Sequence, residues 1–247
     1  MTQKELKDYL DFKADQYNTP VFIENDPIQI PHQFQLKEDI EIAGFLAATI
    51  AWGNRKMIIR NAQKLVSIMG NSPYDYVMEY KGNCPDFVHR TFNTIDLDFF
   101  FRSLQRIYKN GGLESAFSKT ALADEMKGRI TGFRSAFLET HHEQRSTKHI
   151  SNPLKDSAAK RINMFLRWMV RNDNRGVDFG IWPSISPSEL MLPLDVHTGK
   201  LAREFGLITR KQNDWKALEE VMHSLRKFDS SDPVKYDFAL FGIGINE

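Results

Sequence analysis

Cysteine is nearly missing from this sequence. Cys84 is the one thiol, which excludes an internal disulfide, a four-cysteine zinc site and an iron–sulfur cluster held by this chain. A single thiol also suits a reducing, cytoplasmic location. Long apolar runs are missing too: none approaches the roughly 18 residues that a membrane helix needs. The most apolar stretch, 40–51, carries a charge at Glu41. The opening residues, Met-Thr-Gln-Lys-Glu-Leu-Lys-Asp, have no apolar core of a signal peptide, so a soluble protein away from membranes is expected. Neither charge sign dominates, with 33 Lys+Arg against 32 Asp+Glu. The glycine-rich phosphate loops and the G-x-S-x-G elbow are absent, which leaves nucleotide-binding and serine-hydrolase folds without support. His141, His142 and His149 lie in a polar segment, 140–153, without a carboxylate at ligand spacing. They are expected in a solvent-exposed linker, with no metal and no cofactor.

Helical patterning fills most of the chain. Residues 4–16 place Leu6, Leu10 and Phe12 on a charged helix, and the proline-rich 18–35 reads as a loop. Residues 38–51 are apolar almost all round and mark a buried helix. Residues 55–69 carry Ile58, Ile59, Ala62, Leu65 and Ile68 at helical spacing, with Gly70 as the stop. Cap residues then predict helix starts: Ser72 before Pro73, Asp96 for 97–110, Ser157 for 158–171, Ser186 with Glu189, Asp195 for 196–205, Asp214 for 215–228 and Asp232 before Pro233. No window shows sustained period-2 alternation, so the class is all-α. The 18 Phe predict a core rich in aromatics.

The near-neutral total hides local bias. Residues 53–64 hold Arg55, Lys56, Arg60 and Lys64 and no acid, and residues 145–175 hold eight basic residues against Asp156 and Asp173. Charge alone favours solvated helix faces, and a basic face toward a polyanion is the sharper alternative. Trp52-Gly53-Asn54-Arg55 sets an aromatic wedge beside cations; the plain alternative is a boundary Trp packed under a turn. Lys160 and Asp195 are the strongest pair. Separately they are a surface lysine and an N-cap; together they are an amine nucleophile and a carboxylate, each at a helix N-terminus. Arg161 beside Lys160 favours the neutral, nucleophilic amine.

Leu194-Asp195-Val196-His197-Thr198, followed by Leu201-Ala202-Arg203-Glu204-Phe205-Gly206-Leu207, resembles the Asp-bearing element of the helix-hairpin-helix DNA glycosylases. Lys160 with Ile162, Phe165, Arg167 and Met169 resembles their Lys-bearing helix, most nearly that of the archaeal 8-oxoguanine glycosylases, and 42–66 resembles the early helix pair of endonuclease III. Residues 232–242 resemble the helix that precedes that enzyme's iron–sulfur loop. Ile30-Pro31-His32, Ala51-Trp52-Gly53-Asn54-Arg55 and Pro193-Leu194-Asp195-Val196-His197-Thr198 also resemble the signatures of an uncharacterised bacterial family.

The glycosylase resemblance implies two helical subdomains with a cleft between them, one at 38–195 and one formed by 1–37 with 196–247. Lys160 and Asp195 would face each other across that cleft. It implies a base-excision glycosylase/AP lyase acting on a damaged, flipped-out base of double-stranded DNA, such as an oxidised purine. Lys160 and Asp195 would be catalytic, and Trp52, Asn54, Arg55, Lys56, Lys155 and Arg161 would contact DNA. Phe179 and Trp182, in the insertion 172–192, would form a base pocket or lid, or else a packed loop. The family hairpin is usually L-P-G-V-G; here 152–157 holds no glycine, and Lys155 would supply charge in place of backbone donors, or serve as the nucleophile instead. A non-catalytic helical module binding DNA or protein on the same scaffold is the alternative.

Overall fold

The computed structural model describes residues 1–118 and 125–246. The chain divides into two compact units, Met1–Glu24 with Pro153–Glu247, and Asn25–Asn152. These bounds differ from the expected 38–195 subdomain: the segment that carries Lys160 belongs to the unit that also holds Asp195 and both chain ends. The two residues therefore sit within one unit, built from both chain ends rather than from 38–195.

In chain order, α1 spans Gln3–Tyr17 and α2 is the single turn Val21–Glu24. Two 3-10 turns, Pro27–Gln29 and Pro31–Gln33, occupy the proline-rich stretch. Then come α3 (Lys37–Thr49), α4 (Arg55–Ile68) and α5 (Pro73–Glu79). A hairpin of two-residue strands, β1 (Val88–His89) and β2 (Phe92–Asn93), contains the only strands among the described residues. Helices α6 (Thr94–Lys109), α7 (Gly112–Ser118) and α8 (Glu125–Leu138) complete the middle unit with the 3-10 turn Gln144–His149. The remainder holds α9 (Lys160–Val170), α10 (Val196–Glu204), α11 (Trp215–Phe228) and α12 (Tyr236–Asn246). No helix among the described residues is long and apolar enough to cross a membrane.

Two expected caps move. Asp96 does not open its helix. Asn93 caps α6, and Asp96 is the reciprocal partner that accepts from the Asn93 N–H at 3.0 Å. Ser157 accepts from the Ala159 N–H at 3.2 Å, but α9 starts only at Lys160, with Ala159 as its cap. Ser72 precedes α5 without a side-chain cap bond. Ser186 and Glu189 do form a capping box, on the 3-10 turn Pro187–Glu189.

The middle unit packs around aromatic side chains. Phe45 on α3 meets Phe100 at 5.9 Å and Phe133 at 5.5 Å between ring centroids, and Phe133 stacks on Phe117 at 4.0 Å. All four are buried, as the Phe content predicts. Each such side chain contributes about 1.5–3 kcal/mol by burial.

The other unit packs α1 on α12 at very close range. A Cβ on Gly242 would lie 2.1 Å from the Tyr17 ring, so only glycine admits this approach. Of the three histidines expected in an exposed linker, His141 is exposed and His142 half-buried, but His149 departs from that expectation. His149 is buried, with Nε2 3.3 Å from the Asp96 carboxylate, and its ring packs on Phe92 and Trp52. Ser146 also donates to Asp96 at 2.6 Å, so a polar string is drawn inward by one buried carboxylate.

Candidate functional site

Lys160 is the first residue of α9, and the chain reaches it through two left-handed residues, Asp156 (φ 58°) and Ala159 (φ 48°). Glycine takes this conformation freely, whereas a Cβ costs about 1–2 kcal/mol there. Segment 152–159 thus makes two left-handed turns without a glycine. The start of α11 holds it in place: the Trp215 N–H donates to the Asp156 carbonyl at 2.9 Å, and Ser157 forms a bridge with Asp214.

Helical spacing puts Lys160, Met164, Arg167 and Arg171 on one stripe of α9. Lys160 Nζ lies 3.6 Å from Met164 Sδ, and no carboxylate is within ion-pair distance of it among the described residues. Further along the stripe the two arginines are buried in a carboxylate network. Arg167 pairs with Asp237 and, through Nε at 3.2 Å, with Asp178. Arg171 pairs with Asp178, Asp173 and Asp232 at 3.2, 2.7 and 2.8 Å. Both guanidiniums also face the Phe238 ring, at 4.4 and 5.3 Å from its centroid.

Asp195 is the N-cap of α10, as its spacing predicts. Its Oδ1 accepts from the N–H groups of His197 and Thr198 at 2.9 and 3.0 Å, and from the Thr198 hydroxyl at 3.2 Å. Its Oδ2 has no such partner among the described residues. Helix α10 packs on α12, which carries Asp237 in its first turn. Burial pushes the Asp237 carboxyl up to about 6, while Arg167 holds it down; Asp195 raises it further and Lys160 lowers it. Lys160, Asp195 and Asp237 all belong to this unit. Burial likewise raises the Asp178 carboxyl, against Arg167 and Arg171.

The other expected residues fall into two groups. Trp182 is buried, in edge contact with Phe165 at 5.3 Å, and its backbone N–H donates to the Met169 carbonyl at 3.0 Å. The Phe179 N–H donates to the Trp168 carbonyl at 2.8 Å, and its side chain is half-buried. The insertion is thus a packed loop on α9, and Trp182 as an accessible lid is corrected. Arg161 is also largely withdrawn from water, and burial lowers its guanidinium to about 10.

In the middle unit Asn54 caps α4, accepting from the Met57 N–H at 3.1 Å, with exposed Lys56 and half-exposed Arg55 following. Trp52 is half-buried, edge-on to His89 at 4.9 Å and stacked near His149 at 6.0 Å. The next residue, Gly53, has φ +99° and lies under Arg90: a Cβ there would sit 2.7 Å from the guanidinium. Lys155 is exposed at the end of the 3-10 turn Pro153–Lys155.

Asp237 and Arg167 were not among the expected site residues. Their signal is in the sequence: an arginine on the buried stripe of an apolar helix, and an acid at the head of the most apolar one. A buried charge needs a partner.

These features define an all-α protein of two units, one of which carries Lys160, Asp195 and the buried Arg167–Asp237 pair. Residues 26–246 match the model of a family described as Protein of unknown function (DUF2400), and the chain belongs to that family. No curated protein matches the chain, and no solved structure does.

Proposed function

We propose that this protein is a DNA base-excision glycosylase/AP lyase of the helix-hairpin-helix type, acting on a flipped-out damaged base. The observation that carries this reading is the placement in one unit of Lys160, whose amine has no carboxylate partner among the described residues, and Asp195, which keeps one carboxylate oxygen unengaged. The Lys160 amine attacks the anomeric carbon of the sugar. The new C–N bond forms as the glycosidic bond breaks, its electron pair leaves with the base, and the base takes up a proton. The Asp195 carboxylate faces the positive charge that develops on the sugar. Ring opening gives an imine, from which the 3′ phosphate is eliminated. Lys155, Asn54, Arg55 and Lys56 are the proposed phosphate contacts, and Trp52 is the proposed contact to distorted duplex.

Borohydride trapping with duplexes carrying abasic sites or oxidised bases tests the reading. Wild-type protein should give a covalent adduct. Lys160→Gln should abolish it and keep binding, Lys155→Gln should retain it, and Asp195→Asn should slow base release about 100-fold or more. Binding should weaken steeply with salt, and Arg55→Ala and Lys56→Ala should each lower affinity for every sequence. Salt-sensitive binding without an adduct on any lesion overturns the enzymatic reading in favour of a non-catalytic DNA-binding module.

A further inference from the structure

The segments that carry Lys160 and Asp195 both lie against the same three residues, Asn213, Asp214 and Trp215, at the start of α11. The Trp215 N–H donates to the Asp156 carbonyl at 2.9 Å and Asp214 bridges Ser157, so backbone fixes the turn before Lys160 to α11. Inside that turn the Asn163 amide donates to the Ala158 carbonyl at 2.9 Å. Asn213 reaches the other segment. Its Nδ2 donates to the Asp195 carbonyl at 2.9 Å. That carbonyl also accepts from the Gly199 N–H at 2.9 Å, so the cap residue of α10 is held from its own helix and from α11.

Asn213 is itself braced. Its Oδ1 accepts from Arg203 Nη2 at 2.7 Å. The same guanidinium donates to the carbonyls of Gly199, Arg210 and Gln212 at 2.7, 2.8 and 3.0 Å, which ties the loop before α11 to α10. A Cβ on Gly199 would lie 2.5 Å from Asn213 Oδ1, so the amide rests where a glycine leaves room for it.

We infer that Asn213 is a positioning residue that sets the Asp195 cap in register with the Lys160 turn on their shared support, the start of α11; this role rests on the proposed glycosylase/lyase reading. Groups that act together from different helices must be held to a fraction of an ångström, and bonds to one rigid element do this. At the Lys160 turn those bonds are between backbones, and substitution leaves them in place. At Asp195 the bond comes from a side chain and can be cut.

Asn213→Asp in the full chain isolates this bond. It keeps the size of the side chain and the acceptor toward Arg203, and it loses the donor toward Asp195. Without DNA, hydrogen exchange read by mass spectrometry should rise about 2–10-fold at the amides of 197–199, which are bonded to Asp195. The Leu218 N–H, bonded to the Asp214 carbonyl at 3.0 Å, should exchange as in wild type. With a duplex carrying an oxidised purine, single-turnover base release at saturating DNA should slow about 10–100-fold while affinity stays unchanged. Gly199→Ala, whose Cβ pushes the amide off the same bond, should act in the same direction and decides the matter if Asn213→Asp does not fold. Glu220→Ala frees the Thr209 and Arg210 N–H groups of the same loop and should leave both readouts as in wild type. An equal slowing in Glu220→Ala reduces the effect to a loosened loop and overturns the inference, as does unchanged exchange at 197–199 in the first two variants. Faster exchange there, with no adduct from wild type on any lesion, upholds the hold on Asp195 and overturns the glycosylase reading. Adducts from wild type, with base release unslowed by Asn213→Asp, uphold that reading and overturn the role of Asn213.

Discussion

The middle unit and the unit built from the two chain ends bury different chemistry. Around α3, α6 and α8 the interior is a set of phenylalanine rings whose burial needs no partner of defined charge. Around α9 and α12 the interior holds two guanidiniums and their carboxylates, packed on Phe238. Aromatic burial is favourable by itself. Buried charge is expensive unless each group is paired, and a hydrophobic replacement of similar volume is often as stable. A fold that keeps four acids around two arginines therefore concentrates buried ion pairs along α9 and α12, whereas the middle unit sets the buried Asp96 and its neighbours His149 and Ser146 beside a core made mostly of rings.

The largest expected effect tests the aromatic side. Phe100→Ala should lose about 3–5 kcal/mol of stability in urea unfolding, by the same amount at every pH between 5 and 8, because no ionisable group contacts the lost surface through charge. Arg167→Ala should lose a comparable 3–5 kcal/mol at pH 8, since it leaves Asp237 and Asp178 without their shared partner. This loss should shrink at pH 5, where Asp237 takes a proton instead. A pH-independent loss in Arg167→Ala would erase the distinction between the two interiors.

The sign of the Asp237 effect sharpens the contrast. Its carboxyl lies near 6 in the folded protein against 3.8 for the ordinary group, so between these values the native state binds more protons than the unfolded state. Stability from this group therefore falls as pH rises from about 4 to 6 and stays lower above that. Asp237→Asn should remove this slope in a series of urea titrations.

Asp214 behaves oppositely. Arg210 and the Ala217 N–H hold its carboxyl down to about 2, so its contribution is present above about pH 4 and is lost as pH falls through 2. Asp214→Ala should cost about 1 kcal/mol at pH 7 as a lost cap, with no difference from wild type below pH 2.

The smallest effect concerns the turn before Lys160. Ala159→Gly relieves a left-handed Cβ but frees the unfolded chain, so stability should change by no more than about 1 kcal/mol, upward if the strain term is the larger. A loss above 2 kcal/mol in thermal unfolding would show that the Ala159 methyl is held by packing.

Local signals carried far along this chain. The apolar period and terminal caps place α4 and α11 within a residue of their observed ends, because an N-cap such as Asn54 or Asp214 acts on N–H groups only three residues away. Asp96 as the cap of its helix was wrong: Asn93, three residues earlier, caps α6, and Asp96 is the N3 acid that closes the reciprocal box. His149 looked exposed because its neighbours are polar, yet the carboxylate that draws it inward is Asp96, more than fifty residues earlier. Trp182 had the composition of a lid and is instead a wall of α9.

By itself the sequence determined an all-α class, an aromatic core, and the positions of Lys160 and Asp195 at the starts of two helices, since periodicity and capping are local physics. The tertiary structure alone decided that Arg167 meets Asp237 seventy residues later, and that Asp178 bridges Arg167 and Arg171. Which charges share a buried volume depends on how distant helices pack, and no spacing along the chain encodes that.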